Sequence, residues 1–247
     1  MPIYLSPHHD DVCYSIGDLA GREGGELVNL YTRSRYVEAD MALPADGKSR
    51  AEVVTALRRD EDRRFATAAG LSRHDLGLGE PAMSGRTPFD LEGIEFDVAV
   101  LSDLLIPCLE VVLSGDGERR PGRLYCPMGI GGHRNHVVTL LTVRAAWEEL
   151  CDRCTVFLYE DLHYASDRAT RLAGIRRASR VFAGIPLTRF VLSLDAAQAE
   201  RKMRWIGLYA SQHARPPRAA DFTPASGAVS GLHEIVWRVS PPARRQP

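Results

Sequence analysis

Short apolar runs alternate with longer helical segments along this chain, and that alternation restricts the fold more than any other feature. Ile3–Leu5 reads as a buried strand, cut off by Pro7 and an acidic turn. A helix should begin near Asp11 and end at Gly24-Gly25, with a second strand over Leu27–Thr32. Ser49–Ala69 carries Val53, Leu57 and Phe65 on a helical repeat, and Gly70 suits the residue that closes it. His74–Leu78 reads as a short strand, Val98–Ser114 as a core helix, Gly115–Pro121 as a polar turn and Arg123–Cys126 as a strand. The pattern continues with a helix over Val137–Leu150, a strand over Thr155–Tyr159 and a helix over Ala169–Phe182 stopped by Gly184 and Pro186. A strand over Phe190–Leu194 and a helix over Ala196–Tyr209 complete it, and the tail after His213 is rich in Pro, Arg and Ala and loosely patterned. Strands alternating with helices predict an α/β fold with a mostly parallel sheet covered on both faces. In such folds ligands sit at the carboxyl ends of the strands.

At 247 residues the chain suits one large α/β domain, or at most two small ones, and can bury roughly three quarters of its unfolded surface without a staple. A net charge of −1 gives no polyanion signature, so nucleic acid is not an expected partner. The five cysteines, with no basic apolar leader at the start, argue for reduced thiols and a cytoplasmic protein. The Cys151-x-x-Cys154 pair has no second pair to complete a zinc site and falls between a helix end and a strand. No run reaches the roughly 18 apolar residues of a membrane span.

Two polar clusters carry the chemistry. Ser6-Pro7-His8-His9-Asp10-Asp11 follows the first strand, and Gly131-Gly132-His133-Arg134-Asn135-His136 precedes a helix halfway along. Each lies after a predicted strand and before a predicted helix, so both fall on the ligand-binding edge. A catalytic zinc takes three protein ligands and keeps one position for water, whose pKa it lowers to about 7. His8, Asp11 and His136 can serve as ligands, Asp10 as general base, and His133 as oxyanion stabiliser and acid. The competing reading is that Asp10 and Asp11 cap one helix and His136 opens another. Two such clusters meeting at one edge favour the metal site.

These motifs resemble those of the PIG-L/LmbE-like zinc-dependent deacetylases, which act on N-acylated amino sugars and related amides. Softer echoes are Arg58–Leu71, Tyr159–Ala165 and Tyr209-Ala210-Ser211-Gln212, so the resemblance spans about Ile3 to Gln212. It implies a Rossmann-like three-layer α/β/α sandwich over residues 1–213, with residues 214–247 as a Pro/Arg-rich extension packed on the same domain. It implies Zn2+ held by His8, Asp11 and His136, with Fe2+ or Mn2+ accepted by similar ligands. Asp10 would activate water and His133 would face the oxyanion. Three positions depart from the family pattern. Val12 replaces a Glu, His9 replaces a Pro or Leu and is read as a packing residue, and Asn135 replaces an Asp whose loss should lower the pKa of His133.

The expected activity is removal of an acyl group, acetyl first, from an N-acylated amino-sugar-like small molecule. Glu80, Asp161 and His163 are candidate contacts to sugar hydroxyls, and the Ser34–Gly47 loop a candidate flap. Rival readings are an amidase for a larger conjugate, such as a thiol conjugate or a lipid- or peptide-linked glycoside, and a non-catalytic binding protein of the same fold. A nucleotide-binding protein is disfavoured, because no Gly-x-Gly-x-x-Gly follows the first strand.

Overall fold

The computed structural model describes residues 1–114 and 122–240, so the predicted turn at 115–121 and the end of the tail lie outside the described residues. A seven-stranded sheet carries the fold, in the order β3-β2-β1-β4-β5-β7-β6. The strands are β1 (Pro2–Ser6), β2 (Gly25–Asn29), β3 (Leu71–Asp75), β4 (Gly122–Pro127), β5 (Cys154–Tyr159), β6 (Leu187–Ser193) and β7 (His233–Val239). The first five pair in parallel, while β7 runs antiparallel between β5 and β6.

The helices are α1 (Asp11–Glu23), α2 (Gly47–Ala69), α3 (Ile94–Ser114), α4 (Arg134–Ala145), α5 (Trp147–Arg153), α6 (Arg168–Val181) and α7 (Ala196–Ile206). Helices α1, α2 and α7 pack together, and α4 gathers α3, α5 and α6, which gives the two helical layers. Between them lies an apolar core with Leu5, Val28, Leu124 and Leu158 essentially inaccessible. The mostly parallel α/β/α architecture is the one the alternation predicts. No helix among the described residues is long and apolar enough to cross a membrane.

Three local differences from the sequence reading have physical causes. The third strand begins at Leu71 rather than His74, because Gly70 takes the left-handed conformation (φ 68°) and delivers the chain straight into it. The helix expected over Val137–Leu150 breaks at Ala146 (φ −88°, ψ 11°), which lets both Trp147 and Leu150 turn inward. The loosely patterned tail contains β7, a largely buried strand inside the sheet.

The strand order matters for function. From β1 the chain steps outward through β2 to β3, then returns to place β4 on the other side of β1. That reversal opens a crevice beyond the carboxyl ends of β1 and β4. The first polar cluster leaves β1, and the second follows β4.

Candidate active site and metal centre

The first cluster is braced by its own backbone. Ser6 Oγ donates to His8 O (2.5 Å) and accepts from Val12 N (3.3 Å), while His8 N donates to Asp11 Oδ2 at 2.7 Å. These bonds turn the chain sharply from β1 into α1 and present His8, Asp10 and Asp11 to one cavity. The second cluster reaches the same cavity through Gly131 and Gly132, whose φ values of 89° and 76° only glycine adopts freely. A Cβ at Gly131 would also run into the Tyr164 ring. Gly131→Ala should therefore cost about 1–3 kcal/mol and displace His133. Thermal melts of the purified variant check this, and a wild-type melting temperature would refute it.

Three donor atoms form a compact triangle. His8 Nδ1 lies 3.1 Å from Asp11 Oδ2, His136 Nε2 lies 3.3 Å from the same oxygen, and the two ring nitrogens are 3.3 Å apart. Ligands around a tetrahedral ion with bonds of about 2.0–2.2 Å are separated by about 3.3–3.6 Å, a range that two of these separations meet and the third falls just below. The triangle therefore matches one face of a metal coordination shell. His133 adds a third imidazole, its donor atom within 4.8 Å of those of His8 and His136.

The tautomers are set from behind. Asp161 Oδ1 lies 2.7 Å from His136 Nδ1, so His136 presents Nε2 to the triangle. Asp161 Oδ2 accepts Ile130 N at 2.8 Å, tying this carboxylate to the loop after β4. His133 caps α4, and its Nδ1 accepts Asn135 N at 3.3 Å, which leaves the ring proton on Nε2. The side chain of Asn135 faces His8 instead, with Nδ2 2.9 Å from His8 Nε2.

Charge follows from burial and neighbours. Burial, then the adjacent His8 and His136, push His133 down to about 2 and keep it neutral. The direction is the one expected from the sequence, but its first cause is burial, and the side-chain amide of Asn135 faces His8 rather than the His133 ring. Burial also opposes charge on His136, but Asp11 and Asp161 outweigh it and hold His136 up at about 9. Burial and the positive fields of His136 and Arg58 push His8 well below its ordinary value.

Arg58, unassigned from sequence, organises the cavity wall. Its Nη2 donates to Asp10 Oδ1 at 3.1 Å, and its Nη1 donates to Glu80 Oε1 (2.5 Å) and Ser34 Oγ (3.2 Å). Glu61, one helical turn on, holds Ser211 N and Oγ at 2.8 and 2.6 Å, fastening the Tyr209–Gln212 segment. The signal was present: Arg58 and Glu61 are charged residues on the buried face of α2, hidden by the many exposed charges around them. His9 turns away from the cavity and lies buried 3.5 Å from Asp62 Oδ2, as a packing residue would.

The remaining sequence candidates separate by position. Glu80 lines the cavity, but Arg58 and Ser34 occupy its two oxygens. His163 is exposed on the cavity wall. Asp161 is buried behind His136, with both oxygens engaged, and is not among the residues that line the cavity. Of the proposed flap, Tyr36 and Glu38 line the cavity, and the backbone N–H groups of Glu38 and Ala39 donate to Ser211 O.

A cavity of about 570 Å3 lies at the switch point of the parallel sheet, lined by a His/Asp group that could hold a metal ion and by Asp10, whose Oδ1 is held by Arg58. No family model matches the chain. Its sequence is 27% identical over 275 residues to 2'-N-acetylparomamine deacetylase of Streptomyces fradiae, covering 98% of this chain and 91% of that protein. Among solved structures, the A40926 pseudoaglycone deacetylase Dbv21 shares the fold with a TM-score of 0.68 at 19% identity, over 96% of each chain. The zinc inhibited form of teicoplanin deacetylase Orf2 does so with a TM-score of 0.67 at 18% identity, over 96% of this chain and 97% of that one. The sequence relationship supports the resemblance to LmbE-like deacetylases, and the structures share their fold with this chain.

Proposed function

We propose that the chain is a metal-dependent hydrolase that removes an acyl group, acetyl first, from an N-acylated amino-sugar-like small molecule. The observation that carries this reading is the triangle of His8 Nδ1, Asp11 Oδ2 and His136 Nε2, with Asp10 and His133 facing the same cavity. The relationship to a deacetylase of an N-acetylated amino sugar supports it.

The donor set, two imidazoles and a carboxylate, suits Zn2+ and also accepts Fe2+ or Mn2+. A bound divalent ion would supply a water of lowered pKa and polarise the amide carbonyl. The protein's own groups do the rest. Arg58 occupies Asp10 Oδ1, so Oδ2 is the oxygen that takes a proton from the attacking water. His133 Nε2–H donates to the carbonyl oxygen as negative charge develops there, and the neutrality enforced by burial suits that hydrogen-bonding role. The proton held on Asp10 then passes to the departing amine, which leaves as the free amino sugar. Asp161 keeps His136 in the required tautomer throughout.

The test joins metal analysis to turnover. Protein stripped with a chelator is given one equivalent of Zn2+, Fe2+ or Mn2+ in turn and assayed for acetate release from N-acetylated amino sugars. His8→Ala is carried in parallel. We expect activity to follow metal content, and His8→Ala to lose stoichiometric metal while remaining folded by circular dichroism. Equal turnover in metal-free protein, or undiminished metal in His8→Ala, would overturn the reading.

A further inference from the structure

The residue between the two motif histidines on the polar side, Arg134, is a long cation that is 1% exposed, and the reaction above gives it no task. Its guanidinium reaches away from the cavity centre into the loop between Gly85 and Gly93. Nε donates to Asp97 Oδ2 at 2.6 Å, and Nη1 donates to the carbonyls of Asp90 (2.6 Å) and Glu92 (2.9 Å). The backbone N–H of Arg134 also donates to Pro88 O at 2.7 Å. One residue thus fastens both ends of a single turn, Pro88 to Glu92. Lysine has no such planar fork and could not reproduce the set.

That turn presents Phe89. Phe89 is 56% exposed yet lines the cavity, and its ring stands edge-on to His133 with ring centres 5.9 Å apart. Tyr36, 50% exposed, lines the same cavity. A large aromatic ring left in water at a cavity mouth, on a loop tied down by a buried arginine, is a surface held ready for a ligand.

Resting on the proposed deacylation, we infer that Phe89 is the platform on which the ring of the amino sugar packs, and that Arg134 is the positioning residue that holds it. The placement follows from the chemistry. The imidazole of His133, half-buried in the cavity wall, is assigned to the carbonyl oxygen. The partly exposed ring beside it therefore meets the portion of the substrate that extends toward the mouth, which is the amine-bearing ring rather than the acyl tail. An aromatic face accepts the C–H face of a pyranose, so a neutral or a cationic sugar fits equally, and flat apolar packing sets the requirement.

The experiment uses the metal-loaded full chain. Phe89→Ala should raise KM for an N-acetylated aminopyranoside by about fivefold to tenfold with kcat little changed, and Phe89→Tyr should restore it. Arg134→Lys should raise KM similarly, and the double variant should be no worse than Phe89→Ala alone. Hydrogen exchange of the amides of residues 86–93 should quicken in Arg134→Lys. Titration with glucosamine reads the same platform without turnover, and Phe89→Ala should weaken its binding by the same factor. If no amide is cleaved by the wild type, the proposed function fails, while the glucosamine titration still decides this inference. Unchanged KM and glucosamine affinity in Phe89→Ala would overturn it. A loss that tracks acyl-chain length instead of the sugar ring would overturn it too, since the platform would then face the acyl group.

Discussion

Asp10→Asn is expected to lower kcat for acyl release by about 100-fold to 10,000-fold, the usual range for losing a general base, with metal content and melting temperature close to wild type. Asparagine keeps the shape of the side chain, and its amide oxygen can still accept the Arg58 Nη2 bond now made to Oδ1 at 3.1 Å. What it loses is the ability to take a proton. Steady-state kinetics on a metal-matched sample separate this from a loss of binding, because the triangle of His8, Asp11 and His136 does not include Asp10. A variant that turns over near the wild-type rate would move the base elsewhere. Arg58→Met should also be impaired, for a different reason. It leaves Asp10 and Glu80 buried together without the cation they share, and removes the positive charge that opposes the upward push of burial on Glu80.

The second large effect lies away from the cavity. Glu234→Ala should destabilise the protein by about 3–5 kcal/mol, which lowers the melting temperature by about 6–20 °C in a domain of this size. Helix α1 is interrupted at Ile16 (φ −135°, ψ 30°), and the break leaves backbone groups without helical partners. Glu234, on β7, fills that gap: its two oxygens accept Asp18 N and Leu19 N, each at 2.9 Å. Lys202 on α7 donates to Glu234 at 2.8 Å and to Ser15 O at 3.1 Å, and both charged side chains are fully buried. Removing the carboxylate strands a buried ammonium and two buried N–H groups at once. Replacing the pair by Met and Leu should recover part of the loss, because the stranded charge is gone while the two N–H groups stay unpaired. Thermal denaturation of the three proteins checks the order, and a Glu234→Ala protein as stable as wild type would contradict it.

Much of the fold was legible because parallel strands buried on both faces read as short apolar runs, as Ile3–Leu5 and Thr155–Tyr159 do. β7 was not. Its apolar run, Ile235-Val236-Trp237, is as long as Ile3–Leu5, but it is bracketed by Glu234 and Arg238 and follows a tail of Pro, Ala and Arg that draws attention from it. Its buried glutamate is explained only by the broken helix it serves, a tertiary fact. The site divides similarly. The two histidine clusters could be placed on one edge because both follow strands and precede helices. The roles of Arg58, Arg134 and Asn135 could not, because each acts through partners distant in sequence: Asp10, the 88–92 turn and His8. Asp161 was picked from a strand-end loop, yet its task is to orient His136, which only the register of β5 beside β4 reveals.

The position of β7 bears on how the chain is made and cut. On a ribosome both histidine clusters emerge long before His233, yet β6 has no strand to join until β7 arrives to sit between it and β5. The same late strand brings the carboxylate that completes α1, the helix that begins at Asp11. A nascent or truncated chain ending before residue 233 would therefore contain every proposed metal and proton-transfer group and still lack the brace behind them. Deletion mapping would then read as evidence for a catalytic residue in the tail, when what was removed is the last slat of the sheet.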